Sequence, residues 1–318
     1  MTQAASSAAV PLGATRARGG DGGRKSGIRR RKYWIFMIPA LVGILLLIVV
    51  PLGFTLYFSL RDYSLQRATD AFVGFKNYWT ILSGGDADFL ASLGRTFIYV
   101  AVVILADLVF AMAQALLLYS MRPRRAKLWR GVFLLPILII PTASAIFWRT
   151  IMYAPGHGEF LKVLGLDGLI QPPLGDPFLA FCAILITVIW AWSPWVFLQF
   201  SSGLDALDKG VIEASMVDGA GYFKRLRHII LPLMRPVIFV TLSFKAVDSF
   251  LSFPFVWVLT QGGPGRSTHL LSTYIYHEAF FNLDYGAGSA LAIVMLVISG
   301  LLSIGTVMVW QRFYGKEF

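Results

Sequence analysis

Val211–Pro232, VIEASMVDGAGYFKRLRHIILP, is a charged segment that lies between two long apolar segments of the chain. Residues that favour helices occupy both of its ends, and Gly219 and Gly221 interrupt the middle. Glycine allows backbone turns that other residues resist. An ordered polar segment between apolar ones is expected to form a structured loop at a membrane surface, where another protein binds it.

The composition of the chain is typical of a membrane protein. Of its 318 residues, 57% are hydrophobic and only 14% are charged, whereas soluble domains have roughly 25% charged residues. A transmembrane helix needs about 20 apolar residues. Stretches of about that length lie at residues 33–60, 96–120, 131–148, 178–204, 236–260 and 286–311. The sequence therefore predicts an all-α fold, a polytopic membrane protein with six transmembrane helices.

The basic residues predict the orientation of these helices. Loops rich in Lys and Arg stay in the cytoplasm, and residues 1–32 and Arg122–Arg130 are rich in both. We expect cytoplasmic N- and C-termini, and a disordered basic arm at residues 1–32 with no cleavable signal peptide. The net charge of +11 lies beside the predicted spans, where it meets lipid headgroups, so nucleic-acid binding is not expected.

The sequence contains no recognisable catalytic or metal-binding motif. It has no GxxxxGK[ST] phosphate-binding loop, and His277-Glu278 lacks the second His of a helical zinc site. Cys182 is the only cysteine, which excludes disulfides and thiolate clusters within the chain. We therefore expect no catalytic residues, no metal and no cofactor. The protein is not expected to be an enzyme or to hydrolyse ATP itself.

Residues 205–232 are predicted to form two short helices around a glycine turn. The first helix continues from the fourth span and carries Asp205, Asp208 and Glu213, and the second, Tyr222–Ile230, is basic and is expected to stop at Pro232. A solvated loop with cations facing headgroups is one interpretation. It does not explain the apolar residues that are expected to project from this loop and that favour a protein partner. They are Val211, Ile212, Ala214, Met216 and Val217.

The fifth span contains charged residues within the membrane. A spacing of i, i+3, i+4 and i+7 places four polar residues on one helical face, namely Lys245, Asp248, Ser249 and Ser252. A charge in the bilayer costs at least about 2.5–3.5 kcal/mol, so such residues face a bundle interior or a water-filled cavity. This face is either a polar wall of a translocation pathway or a Lys245–Asp248 pair that locks helices together. Asp107, in the second span, is expected to be a structural hydrogen-bonding acid.

The segment EASMVDGAGYFKRLRHIILP resembles the EAA loop of ABC-importer permeases, whose pattern is EAA, three positions, Gly and a later Leu-Pro. Ser215 replaces the second Ala of the pattern, a change between small residues. The matching residues are Glu213, Ala214, Asp218, Gly219, Ala220 and the pair Leu231-Pro232. LTQGGPGRSTHLLSTYIYHEAFFNLDYGAGSA (residues 259–290) and FVGFKNYWTIL (residues 72–82) resemble segments of carbohydrate permeases of the maltose and glycerol-phosphate type. The resemblance covers about residues 33–318, which would form one permease domain.

The resemblance implies a set of partners and a role for the loop. A helix in the 205–232 loop would couple to cytoplasmic ATP-binding subunits, with Glu213, Ala214, Ser215, Asp218, Gly219 and Ala220 as the coupling residues. A second, unlike permease subunit would complete a heterodimer in the bacterial inner membrane, and an extracytoplasmic binding protein would deliver a sugar or sugar derivative. ATP-driven alternating access would then import it.

The resemblance also implies a substrate pathway. In related permeases, the fifth helix and the span before the EAA loop border the sugar. Lys245 is interpreted as a group that could favour an anionic sugar. The expected pathway residues are Trp192, Trp195, Gln199, Lys245, Asp248, Ser249 and Ser252.

Two other classes of protein are alternatives to this interpretation. In an autonomous secondary transporter or channel, Lys245 and Asp248 would relay ions, but six spans are few and no matching broken halves are evident. A membrane-bound enzyme is disfavoured because His, Asp and Cys do not cluster near a predicted interface.

Overall fold

A computed structural model describes residues 37–153 and 173–314 of the chain. The predicted basic arm at residues 1–32 lies outside the described residues. The chain divides into two compact units, residues 1–54 and 55–318. The described part of the first unit belongs to a helix that begins at Met37 and contains a π-helical turn at Leu45–Val49.

The second unit is almost entirely helical. Its one described sheet is a hairpin of β1 (Arg61–Ser64) and β2 (Thr69–Phe72), which pair antiparallel with Arg61 opposite Phe72. The helices in chain order, counting the first as α1, are α1 (Met37–Ser59), α2 (Lys76–Leu82), α3 (Ala87–Tyr119), α4 (Pro123–Leu134), α5 (Pro141–Phe147), α6 (Pro177–Asp205), α7 (Lys209–Val217), α8 (Tyr222–Phe250), α9 (Pro254–Thr260), α10 (Leu271–Tyr276) and α11 (Tyr285–Tyr314).

Five of the described helices are long and apolar enough to cross a membrane, and a bent pair of helices brings the number to six. These are α1, α3, α6, α8 and α11, together with α4 and α5 as the bent pair. The predicted all-α membrane fold is therefore confirmed.

The bent pair replaces the straight helix expected at residues 131–148. The chain turns by 93° between Leu138 and Pro141. Pro141 has no N–H for a preceding helix and begins α5, and Ile140 before it is extended, with φ −59° and ψ 145°. A residue before proline is pushed out of the helical region and proline is well placed at a first helical position, so the bend follows from local sterics.

α8 differs from the expected fifth span at both ends. It begins at Tyr222 rather than near Pro236, and it ends at Phe250, before a separate helix that starts at Pro254. The expectation that Pro232 stops a short helix is wrong, because a π-helical turn at Leu226–Ile230 leads directly through Pro232. Such wider turns accommodate interruptions of the helical hydrogen-bond ladder.

The second unit has two buried apolar clusters. One joins α3 and α6 to α9, α10 and α11, and the other forms where α3, α6 and α8 pack together. Small residues line this packing and let helix backbones approach closely, as is common in membrane bundles. At Gly203 of α6, a Cβ atom would lie 3.0 Å from the Cε of Met234 in α8. Phe197 and Phe200 of α6 are fully buried in the same cluster. The position of α8, and of its charged residues, is thus fixed by close contact with α6.

Polar contacts attach the segment between α9 and α11 to the start of α3. Arg95 Nε donates to the backbone carbonyl of His269 at 2.8 Å, and the backbone N–H of Leu271 donates to Thr96 Oγ1 at 2.9 Å. The hydroxyl of Tyr274 donates to both carboxylate oxygens of Asp86, at 2.9 and 3.1 Å. These bonds hold residues from distant parts of the sequence in one arrangement at this end of α3.

Candidate functional site

The loop at residues 205–232 contains a well-capped helix. Asp208 caps the start of α7, where its side chain accepts the backbone N–H of Gly210 at 2.8 Å. Such a cap satisfies one of the free donors at a helix start. Ile212 and Ser215 face inward and are buried, and Ser215 Oγ donates to the carbonyl of Ile212 at 2.6 Å.

The end of α7 has the hydrogen bonds of a Schellman motif. The N–H of Ala220 donates to the carbonyl of Ser215 at 3.0 Å, and the N–H of Gly219 donates to the carbonyl of Met216 at 3.1 Å. Gly219 adopts φ +75°, a left-handed conformation that favours glycine at this position. Gly221, in contrast, has φ −63° and needs no such freedom. The turn therefore depends on one of the two glycines.

The outward side of α7 is apolar and exposed. Val217 is 89% exposed, and Val211 and Ala214 are also exposed. Glu213 and Met216 are exposed as well, but they line a cavity beside the bundle. Ile212 was expected to project with them, but it is buried, since the helix turns it toward the bundle. Of the predicted coupling residues, Ser215 is buried, Ala220 is partly buried, and Glu213, Ala214, Asp218 and Gly219 are exposed. The apolar surface is thus presented by a helix fixed at both ends.

A cavity of about 960 Å³ lies between this helix and the bundle, lined by residues of α3, α4, α6 and α7. Arg130 of α4 spans its edge, donating to Ser201 Oγ at 2.8 Å and to Asp205 Oδ2 at 2.9 Å. It thereby fixes the end of α6, from which α7 follows. Sequence reasoning assigned Arg130 only to a basic loop, because its partners lie more than 70 positions away.

The charged residues of α8 form a pair with one buried and one exposed partner. The side chain of Lys245 is 2% exposed, and its Nζ lies 3.3 Å from Asp248 Oδ2, whose side chain is 48% exposed. The ammonium also lies 4.9 Å from the ring centroid of Trp192 in α6, within the range of a cation–π interaction. The contact of Lys245 with Trp192 agrees with a pair that locks two helices together, and the exposure of Asp248 agrees with a wall of the pathway.

The other expected pathway residues are less exposed. Ser249 is buried, and Ser252 lies beyond the end of α8, where its Oγ accepts the hydroxyl of Tyr99 at 3.1 Å. Trp195 and Gln199 of α6 are partly buried. The ring of Trp195 lies 6.1 Å from that of Phe244 in α8, which is 70% exposed and was not predicted. The sequence did contain a signal for Phe244, because a residue four positions before Asp248 lies on the same helical face.

Asp107 does not have the structural hydrogen bonds expected of it. It is fully buried in α3, and neither of its carboxylate oxygens has a hydrogen-bond partner within the described residues. It does lie close enough to Lys245 for an electrostatic interaction. Packing of α3 against α6 and α8 thus brings Asp107 near Lys245 and Asp248, but gives it no hydrogen-bond donor among the described residues.

Among the described residues, no group of three or more His, Cys, Asp and Glu side chains is placed to hold a metal ion. Outside the membrane-spanning helices, burial, together with the neighbouring His277, Arg95 and Arg266, lowers the pKa of His269 to about 4. This imidazole is therefore neutral at pH 7.

Comparison with known proteins identifies the family. Residues 111–313 match the family described as binding-protein-dependent transport system inner membrane component. A probable ABC transporter permease protein, y4oQ of Sinorhizobium fredii, is 30% identical over 97% of this chain and 97% of its own length. The trehalose/maltose transport system permease protein MalF of Thermococcus litoralis is 32% identical over 83% of this chain and 88% of its own. The sulfoquinovosyl glycerol transport system permease protein SmoG of Agrobacterium fabrum is 34% identical over 83% and 85%, respectively.

A solved structure shares the fold. A chain of the bacterial alginate ABC transporter, in complex with an alginate pentasaccharide-bound periplasmic protein, superposes with a TM-score of 0.77. It is 18% identical and the match covers 92% of this chain and 98% of that one. The chain belongs to the family of binding-protein-dependent transport system inner membrane components: it is a multi-pass permease subunit of an ABC importer, a transport protein and not an enzyme.

Proposed function

We propose that this permease imports a sugar or sugar derivative and that residues 205–232 couple it to a separate ATPase. The observation that carries the coupling is the exposed apolar face of α7, on a helix that is capped at its start and closed by a Schellman motif at its end. An apolar surface on a rigid element, outside the bundle, favours a protein partner.

The coupling follows from how α7 is attached. Arg130 ties the end of α6 to α4, and α7 follows α6 after a short turn. A force on α7 is therefore transmitted to two membrane-spanning segments at once. Glu213, Ala214, Asp218 and Gly219 contact the ATP-binding subunit, and Ser215 and Ala220 maintain the shape of the helix end. ATP binding and hydrolysis by the partner then drive alternating access.

The sugar assignment rests on two independent supports. Relatives of this chain are named for trehalose and maltose, sulfoquinovosyl glycerol and sn-glycerol 3-phosphate transport. The polar pair Lys245–Asp248 and the neighbouring aromatic rings of Trp192, Trp195 and Phe244 form a surface of the kind that contacts sugars. Gln199, Ser249 and Ser252 lie on the same two helices or just beyond them and complete the pathway.

The remaining partners follow from topology and charge. A second, unlike permease subunit lies beside the bundle and completes the pathway, and a binding protein delivers the cargo on the side opposite α7. Both termini lie on the cytoplasmic side, next to anionic lipid headgroups.

The test is reconstitution of the complete importer in proteoliposomes, with ATP-dependent sugar uptake and copurification of the ATPase as readouts. Val217→Asp places a charge on the apolar face of α7 and is expected to lower ATPase binding and uptake about tenfold or more. Leu65→Asp is the matched control, since Leu65 is also apolar and exposed but lies in the hairpin. Unchanged ATPase binding in Val217→Asp would exclude α7 as the coupling element. Uptake by this chain alone under an ion gradient would instead favour a secondary transporter.

A further inference from the structure

α8 carries an exposed stripe that contains a charge. Val240, Phe244 and Asp248 of α8, and Leu251 directly after its end, are all exposed and follow one another at intervals of four, four and three residues. This spacing places them on one face of a helix. Three of the four are apolar, and the fourth is a carboxylate within a membrane-spanning helix.

A lipid-facing position is excluded for this stripe by the cost of the carboxylate. Charged side chains in membrane spans face the bundle interior or a water-filled cavity. Within the described residues, the bundle leaves 48% of the Asp248 side chain exposed. It therefore faces water or a partner subunit in the assembled importer, as a residue of the transport pathway does.

The buried and exposed partners of the ion pair differ in what they offer a cargo molecule. The ammonium of Lys245 is enclosed by Trp192 and by Oδ2 of Asp248, so it presents no free positive charge. Oδ1 of Asp248 has no hydrogen-bond partner within the described residues. Asp248 thus presents a free carboxylate oxygen to the pathway as a hydrogen-bond acceptor, and the buried ammonium of Lys245 holds this carboxylate in place. An anion is repelled there, and hydroxyl groups can donate to it.

The aromatic neighbour completes a surface suited to a sugar. Phe244 lies one helical turn from Asp248 on the same stripe, and Trp195 of α6 packs 6.1 Å from it and limits its movement. The apolar C–H face of a sugar ring packs on an exposed aromatic ring, while hydroxyl groups at the edge of the sugar reach the carboxylate.

We propose that Phe244 and Asp248 form a cargo subsite that selects an uncharged, polyhydroxylated sugar, and that Lys245 is a positioning residue behind it. This inference rests on the proposed function. It reverses the expectation that Lys245 favours an anionic sugar, because that expectation requires an exposed ammonium.

The experiment uses the complete importer in proteoliposomes with its own binding protein, and four probes: maltose and trehalose as neutral sugars, and sulfoquinovosyl glycerol and sn-glycerol 3-phosphate as anions. We expect ATP-driven uptake of a neutral probe and none of the anions. ATP-driven uptake of an anion alone would overturn the charge selection and leave the proposed sugar import standing. The absence of ATP-driven uptake for all four would count against both.

Variants then test the two residues directly, with uptake normalised to the amount of assembled complex. Asp248→Asn and Phe244→Ala are each expected to lower uptake of the neutral probe about tenfold at limiting concentration, because a charged acceptor or a stacking ring is lost. Phe244→Tyr should retain most of the uptake. Val240→Ala, one turn away on the same stripe, is the control and should stay within about twofold of the unsubstituted importer.

Two further results would overturn the subsite. Wild-type uptake in both Asp248→Asn and Phe244→Ala would show that the stripe does not contact cargo. If both variants, and Phe244→Tyr with them, instead lose the sister subunit on size-exclusion chromatography, the stripe is a subunit contact. Lys245→Met separates positioning from contact: it should raise the KM for the neutral probe while leaving the charge preference unchanged.

Discussion

Gly219→Ala is expected to weaken the turn at the end of α7 without any steric clash. A Cβ atom at this position would meet no other atom within 4 Å, so the cost comes only from the backbone, which has φ +75°. An L-residue in the left-handed region costs roughly 1–2 kcal/mol. The free energy that holds the Schellman turn closed should fall by this amount, a factor of about 5–30 in the opening equilibrium.

Gly221→Ala is the matched control for this prediction. Gly221 also has open space around it, but its φ of −63° is ordinary for any residue. The substitution should therefore leave the turn closed. The two variants add the same methyl group two positions apart, and only the backbone conformation distinguishes them.

Hydrogen exchange of the assembled importer, followed by mass spectrometry, measures the opening. The amide of Ala220 donates to Ser215 in the closed turn, and its protection should fall about 5- to 30-fold in Gly219→Ala and stay unchanged in Gly221→Ala. ATP-driven uptake should fall in parallel if α7 transmits the force. Equal protection of Ala220 in both variants would refute the conformational argument. Reduced protection with full uptake would refute the role of this turn in coupling.

Three further outcomes are expected from other parts of the structure. Gly286→Ala should lower the Tm of the purified protein by several degrees, because a Cβ atom there would overlap the carbonyl oxygen of Arg61. Gly300→Ala, with open space around the residue, is the control and should leave the Tm unchanged. Equal Tm values for the two variants would contradict this close approach. Arg130→Ala should speed amide exchange in α7 and lower ATP-driven uptake, because Asp205 and Ser201 lose the donor that ties α6 to α4. Lys127→Ala on the same helix serves as the control. Identical effects of the two variants would argue against this tie between the helices. The pKa of His269 is about 4 in the folded protein and about 6.5 when unfolded. Protonation of the unfolded state should therefore lower the free energy of unfolding as the pH falls from 6.5 toward 4, by about 1–2 kcal/mol near pH 5. Thermal unfolding at pH 7.5 and 5 should show this loss in the unsubstituted protein and a smaller loss in His269→Asn.

The membrane fold class was accessible from the sequence because it depends on local properties. An apolar stretch of about 20 residues must form its own hydrogen bonds in lipid, and a helix is the way a single segment does so. The same reasoning located the charged loop at residues 205–232. Proline positions were less informative, because Pro141 begins a new helix after a sharp bend while Pro232 is accommodated by a π-helical turn. Which outcome occurs depends on the backbone on both sides of the proline.

The tertiary structure decided how the charged residues are used. Spacing alone put Lys245 and Asp248 on one helical face, but only the packing of Trp192 against α8 covers the first and leaves the second exposed. The bond from Arg130 to Asp205, and the burial of Asp107 with no donor among the described residues, likewise involve helices that are far apart in the chain. Periodicity describes one helix at a time. The exposure and partners of a side chain are set by its neighbours on other helices, and the sequence by itself determined the helices without determining those neighbours.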